Sequence, residues 1–388
     1  MEKFGKIVAR FRYVILIGAV LLLIPAAIGY INTRVNYDLL YYLPDGIDTM
    51  DGQNILMDEF GTGAFSMIMF ENMDYKDVSE LKEKIENVDH VEKVLWYDSL
   101  FDTSIPAELL PDKLYKAFNT EDSTLMMVIF NDTSSGDGTL QAINEIRDVC
   151  DHQCFLSGIS AIVADTKALS ERETPIYVVL AVIISILIMG LLMDSYIIPV
   201  FFLLSIGMAI VYNLGSNIFF GEISYVTKAL AAVLQLGVTM DYSIFLWHSY
   251  EEQCEIYDDN NEAMAKAIAS TIVSVVGSSI TTIAGFIALC FMSFTLGLDL
   301  GVVMAKGVIF GVIGCVTILP SMILIFDKAL KKTHHRSLIP TMDKLPKKII
   351  KYYPVFLILM LILAVPAIYG YNNTDVYYDL TLSLPKDL

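Results

Sequence analysis

The chain has 388 residues, 55% of them hydrophobic, and a mean hydropathy of +0.56. That is far above the range of a water-soluble domain and places it among polytopic membrane proteins. A formal net charge of -18 and a pI near 4.6 argue against a nucleic-acid partner, and five cysteines without zinc-type spacing imply no disulfide framework.

The chain opens on a basic end, Lys3, Lys6, Arg10 and Arg12, followed by an apolar run over 13–31. The run is longer than the apolar core of a signal peptide, and no small-residue cleavage site follows it. Residues 1–31 therefore read as a retained first transmembrane helix, with its N-terminus in the cytoplasm by the positive-inside rule.

Residues 32–174 form the one large polar segment, expected outside the cytoplasmic membrane. It begins Val35-Asn-Tyr-Asp38-Leu-Leu-Tyr-Tyr-Leu-Pro44. Strands are predicted over 64–70, 91–96, 124–130 and 154–156, with helices over 78–88 and 140–150. The first helix has Val78, Leu81, Ile85 and Val88 at helical spacing. This is β-α-β twice over, the split pattern of a ferredoxin-like α+β unit. Cys150 and Cys154 bracket Asp151-His152-Gln153. A disulfide is compatible with an oxidising compartment, whereas a Cys-His-Cys metal site lacks its fourth ligand, so no metal is expected.

Residues 175–327 hold five more apolar spans, predicted over 175–193, 196–212, 229–247, 267–289 and 300–326. The third of these carries the most informative stretch, Gly237-Val-Thr-Met-Asp241-Tyr242-Ser-Ile-Phe-Leu246. If the helix enters near Lys228, Asp241 stands roughly 18 Å deep at 1.5 Å per residue, where an acid costs roughly 3 kcal/mol even on lenient insertion scales. Such a group carries protons or joins helices through hydrogen bonds. Desolvation disfavours a carboxylate, which suits an acid that loads and unloads protons near neutrality, and a neighbouring phenol such as Tyr242 can donate to it. An intramembrane aspartyl protease would need two facing acids, and no second membrane-core acid is visible, so the chain is not read as an enzyme.

The next span has a polar, small-residue face: Ser274, Gly277, Ser278, Thr281, Thr282 and Gly285 recur three or four apart. Small residues let helix backbones approach, and hydroxyls hydrogen-bond across. Close packing alone accounts for the glycines, while the hydroxyls suggest a polar seam toward Asp241. Lys306, inside the 300–326 span, either snorkels or pairs with Asp241. The basic loop 328–352 should be cytoplasmic, with His334 and His335 part of that surface. A seventh span follows within 353–388.

After it, Val376-Tyr-Tyr-Asp379-Leu-Thr-Leu-Ser-Leu-Pro385 repeats the stretch from Val35 to Pro44 at an offset of 341, which also pairs Pro25 with Pro366, Gly29 with Gly370 and Tyr30 with Tyr371. The chain thus reads as one full unit and the opening of a second, a duplication typical of transporters. Extended, the offset puts a second acid helix near position 580 in a product of about 700 residues. A homodimer of halves is the alternative.

Gly237-Val-Thr-Met-Asp-Tyr-Ser-Ile-Phe-Leu-Trp-His-Ser-Tyr-Glu-Glu252 resembles the fourth-helix motif of the MMPL branch of the RND transporter superfamily, and the layout of helices around one outer segment is similar to that family's over nearly the whole chain. The resemblance implies that Asp241 and Tyr242 form a proton-relay pair, that the outer segment is a porter-type domain, and that the protein exports hydrophobic or lipid-like compounds on the proton-motive force. Thr239 stands where the motif commonly has a second Gly. The implied partners are membrane lipids, a hydrophobic substrate, protons, and a second half or a homo-oligomer, with no cofactor. A non-transporting, sterol-sensing-like lipid receptor or membrane scaffold shares this helix arrangement and is the alternative function.

Overall fold

The computed structural model describes residues 1–44, 46–60, 64–99, 112–120, 122–150, 154–333, 335 and 344–375. A short helix α1 (Glu2–Arg10) breaks at Phe11 and the apolar α2 (Arg12–Asn32) follows. After strand β1 (Arg34–Asn36) and helix α3 (Asp48–Phe60) comes a sheet domain: β2 (Ala64–Glu71), α4 (Tyr75–Glu86), β3 (Val91–Leu95), α5 (Asp112–Phe118), β4 (Ser123–Phe130), α6 (Asp137–Val149) and β5 (Cys154–Ser157).

The sheet order is β3-β4-β2-β5, and every neighbouring pair is antiparallel, the topology of a split β-α-β unit. Strict alternation makes this possible. Ser66, Ile68 and Phe70 of β2 and Met126, Val128 and Phe130 of β4 point to one face and are fully buried, where Val78, Ile85, Ile143 and Ile146 of α4 and α6 cover them. The indole N–H of Trp96 donates to Thr124 Oγ1 at 2.8 Å, so this large buried ring leaves no orphan donor.

The open face of the sheet is also apolar. Phe65 pairs across with Ile129, Met67 with Met127, and Met69 with both Leu125 and Phe155. Phe65, Met69 and Phe155 are more than a third exposed.

Helix α7 (Ile159–Leu192) is continuous over 34 residues, roughly 50 Å. Its first turns belong to the sheet domain: Val163 and Ala164 join the domain core, and Asp165 pairs with Arg147 at 2.7 Å. The rest is apolar enough to cross a bilayer, as are α2, α8 (Ile198–Gly215) with its extension to Phe220, α9 (Tyr225–Cys254), α10 (Asn260–Leu289), the segment Leu296–Ile325, and α15 (Tyr353–Asn372). The protein is a multi-pass membrane protein. Leu296–Ile325 consists of α11 (Leu296–Ile313), a π-helical turn Gly314–Ile318, and α12 (Leu319–Ile325). The wide turn sits just before Pro320, whose missing N–H makes a regular ladder impossible there. Helices α13 (Asp327–Lys332) and α14 (Lys344–Lys351) lie between α12 and α15. The repeated stretch 376–385 lies outside the described residues.

Two sets of links mark opposite ends of the helices. At one end β1 pairs in parallel with β6 (Glu222–Ser224), and the backbone N–H and hydroxyl of Thr295 both donate to the Tyr42 carbonyl at 2.9 Å. Asp299 Oδ2 accepts from Ser224 N at 2.9 Å and Thr227 Oγ1 at 2.5 Å. Tyr37 stacks on Tyr225 at 5.6 Å and donates to Glu171 of α7 at 3.3 Å. Burial, then Glu171, pushes the Tyr37 phenol up from its ordinary range and keeps it a donor. The stretch from Val35 therefore fastens the sheet domain over the bundle. At the other end Ser195 meets Thr333, His335 N donates to Asp194 O, and Glu2 of α1 bridges to Lys266 of α10.

Candidate functional site

The bundle centre is built from α8 and the Leu296–Ile325 segment, the most buried of the seven spans. Glycines set how closely α11 approaches α9. A Cβ on Gly311 would lie 2.1 Å from Thr239 Cγ2, and one on Gly307 would lie 2.9 Å from Gln235 Oε1. The approach closes a buried polar chain: Asn213 Nδ2 donates to Gln235 Oε1 at 3.0 Å, Gln235 Nε2 to the Gly307 carbonyl at 3.0 Å, and Thr239 Oγ1 to the Gln235 carbonyl at 2.6 Å. With no water to satisfy them in hydrocarbon, these groups hold three helices together. This polar chain was not foreseen from the sequence. Its signal was present as Asn213 and Gln235 inside apolar runs, together with glycines four apart at 307 and 311.

Helix α9 buries one stripe, Ala231, Gln235, Thr239, Tyr242, Ser243 and Leu246, in that centre. Asp241 falls on the opposite side. It is exposed, together with Leu234, Gly237 and Phe245, and no hydrogen bond or ion pair joins it to any described residue. Tyr242 is 4% exposed and packs in the hydrophobic core with Leu246 and Cys315. Consecutive residues point about 100° apart on a helix, so the phenol turns into the bundle while the acid turns out. The expected donation from Tyr242 to Asp241 is not made.

The hairpin of α9 and α10 is tied by Ser249 and Ser270, whose hydroxyls are 2.8 Å apart. Asp241 lies as far along α9 from Ser249 as Ser278 lies along α10 from Ser270, roughly 12 Å in each case. The acid and the middle of the α10 seam therefore share a depth. Ser274, Gly277, Ser278, Thr281 and Gly285 are exposed, and Thr282 is half-buried. The seam does not close on Asp241: Thr281 and Thr282 hydroxyls donate back to the carbonyls of Gly277 and Ser278, at 3.3 and 3.2 Å. Glycines, hydroxyls and one acid thus stand exposed on the hairpin, and no described residue partners the acid.

Lys306 is engaged elsewhere. Its Nζ donates to Asn217 Oδ1 at 2.5 Å and lies 5.0 Å from the Phe220 ring centroid, which excludes pairing with Asp241. No disulfide joins Cys150 and Cys154. Burial, then the neighbouring Cys154, pushes the Cys150 thiol up to about 12. His152 lies outside the described residues, and among those described no three His, Cys, Asp or Glu side chains are placed to hold a metal.

A family model described as the MMPL family matches residues 62–342, which include the sheet domain and the α9–α10 hairpin. The chain belongs to the MMPL family. It is 32% identical to the membrane protein ActII-3 of Streptomyces coelicolor over 125 residues, 32% of this chain and 17% of that protein. It is 21% identical to MmpL12 of Mycobacterium tuberculosis, named as a probable transport protein, over 83% of this chain and 29% of that one. To the siderophore exporter MmpL5 of the same organism it is 24% identical over 45% of this chain and 19% of that one. The matched stretches cover less than a third of each of these relatives.

Proposed function

We propose that this chain forms half of a proton-coupled exporter of hydrophobic or lipid-like compounds in the cytoplasmic membrane, with Asp241 as the proton-carrying acid. The observation that carries the reading is the placement of Asp241: mid-span, unpartnered and outward-facing, beside glycines and hydroxyls at the same depth. A carboxyl group on a lipid-facing surface would cost roughly 3 kcal/mol or more. A second bundle, from the same protein or a second copy, covers that face, and the acid then sits between two halves, where transporter sites lie. Tyr242 anchors the helix rather than orienting the acid. Ser274, Ser278, Thr281 and Thr282 line the covered face.

The export reading draws on the exporter among the MMPL relatives, and the hydrophobic cargo on the open sheet face, where adaptable methionines and aromatic rings await a covering surface. The sheet domain is then an extracytoplasmic porter-type domain, with the N-terminus and basic loop in the cytoplasm. One proton moving down about 100 mV yields roughly 2.3 kcal/mol, enough for about a 50-fold substrate gradient.

The test is Asp241→Asn in the full-length protein in proteoliposomes. The amide keeps size and hydrogen bonding but cannot ionise. Insertion should be normal, and substrate accumulation driven by an imposed pH gradient should fall to the passive level. Efflux at the unmodified rate would refute the relay.

A further inference from the structure

The mechanism leaves the first helix unused, and its surroundings form a second candidate site. Helix α1 seats Gly5, Val8 and Ala9 on α10, so closely that a Cβ on Gly5 would meet the Ala265 carbonyl oxygen at 2.5 Å. Phe4, Ile7 and Phe11 stay 37 to 54% exposed, alongside Lys3, Lys6 and Arg10. A short helix with one side docked, one side apolar and the rest basic lies in a membrane interface. Phe11 (φ -98°, ψ 18°) breaks it from α2.

In the angle between the two helices lies a cavity of about 520 Å³ bordered by Lys6, Arg10, Arg12, Tyr13 and the start of α10. Its cations are unevenly committed. Lys6 is bridged to Glu2 at 3.0 Å. Arg12 gives one guanidinium N–H to Asn261 Oδ1, while its Nε is buried with no acceptor. Arg10 lies over the Phe11 ring, 5.8 Å from its centroid, and neither arginine has a carboxylate partner among the described residues. Of the two acids at the rim, Asp259 accepts from Asn261 N and Nδ2 at 3.0 Å, which fixes the amide that orients Arg12. The other is Glu262.

The same device recurs. At the offset of 341, α1, its break and α2 fall on α14, its break and α15. Lys3, Lys6, Arg10 and Phe11 correspond to Lys344, Lys347, Lys351 and Tyr352. Tyr352 (φ -108°, ψ 21°) reproduces the Phe11 backbone, and Lys351 lies 5.4 Å from the Tyr352 ring as Arg10 does from Phe11. The second elbow has Tyr353 in place of Arg12. Both elbows are basic, and only the first has a guanidinium with an unused buried donor.

We propose that the α1–α2 elbow binds the phosphodiester headgroup of an anionic phospholipid, with the guanidinium groups of Arg10 and Arg12 as its donors. A planar guanidinium matches phosphate oxygens in a way an ammonium cannot, and the amphipathic α1 holds the pocket at headgroup level. The exposed Phe4, Ile7 and Phe11 point to a lipid rather than a free phosphate, since they lie where acyl chains begin.

The experiment is native mass spectrometry of the full chain in zwitterionic detergent, titrated with phosphatidylglycerol, phosphatidylcholine or inorganic phosphate. The unmodified chain should retain phosphatidylglycerol over phosphatidylcholine. Arg10→Gln/Arg12→Gln should lower that retention about tenfold. Arg10→Gln alone, which leaves the Asn261 contact intact and tests binding without risk to folding, should lower it severalfold. Lys347→Gln/Lys351→Gln should change it less than twofold. Equal retention of both lipids, unchanged retention in the arginine variants, or displacement by millimolar phosphate would each overturn the proposal, the last by assigning a free-phosphate site.

Discussion

Gly311→Ala tests whether the contact between α9 and α11 sets the bundle. The new methyl would stand 2.1 Å from Thr239 Cγ2 and 3.0 Å from Thr239 Cβ, against ordinary carbon–carbon contacts of about 3.5 to 4.0 Å. Thr239 is 1% exposed and its hydroxyl is held by the Gln235 carbonyl, so it has no room to turn away. Separating the helices instead would stretch the bond from Gln235 Nε2 to the Gly307 carbonyl. Overpacking of this kind costs about 1–3 kcal/mol. Thr239→Gly alone costs about 1–2 kcal/mol, from lost burial and from glycine in a helix. Combined, the two changes exchange which helix carries the methyl. The double variant should therefore be no less stable than Thr239→Gly, giving a favourable coupling of about 1–3 kcal/mol. Unfolding in rising dodecyl sulfate, followed by Trp247 fluorescence in a Trp96→Phe background, measures it. Additive losses in the double variant would refute the claim that Thr239 and Gly311 fit each other.

Two further outcomes are expected. The Cys150 thiol, pushed up to about 12, should hold a thiolate fraction at pH 8 on the order of a thousandfold below that of an unperturbed thiol, and its alkylation rate, read by peptide mass mapping, should rise about tenfold per pH unit between 8 and 10. A rate that levels off near pH 9 would contradict the burial. Single cysteines at the exposed Ser79 of α4 and Lys348 of α14, in a cysteine-free background, should react with an impermeant maleimide from opposite sides of sealed vesicles, and labelling of both from one side would overturn the proposed orientation.

The succession of elements over 64–157 was legible because the strands and helices differ in pattern: short, nearly continuous apolar runs in β2 and β4, and apolar residues every third or fourth in α4 and α6. The apolar spans were legible by length. Direction was not. Nothing local to Gly237–Leu246 says which side of α9 faces the bundle. That is decided by Gly307 and Gly311, which draw Gln235 and Thr239 inward and so turn Asp241 outward. The same applies to Lys306, whose partner Asn217 is remote in sequence. Helix α1 was read only as a basic end, although Gly5, Val8 and Ala9 against Phe4, Ile7 and Phe11 already form two sides of a helix. The three-residue strands β1 and β6 are too short to show a period at all.

The duplication makes the outward face of the hairpin more informative than it would be alone. In the first unit α2 meets α8 backbone to backbone, since a Cβ on Gly29 would lie 2.2 Å from the Gly215 carbonyl oxygen and one on Gly215 would lie 2.0 Å from that of Ala26. Helix α15 repeats the surface that makes this contact, with Ala367 and Gly370 in the places of Ala26 and Gly29, yet Gly370 has open space around it and every described residue of α15 is exposed. A helix copied with its docking surface, a sheet with an apolar outer face, and a hairpin with an uncompensated acid are three separate costs if lipid or water covers them. The acid alone is worth roughly 3 kcal/mol, and a bare apolar sheet face would invite association. Under the proposed function, a second unit built like the first would address all three together. It would bring its own equivalent of α8 to α15 and its own sheet to the outer face of the first. It would also bring an α9–α10 hairpin to Asp241, making the acid one member of a relay between two halves.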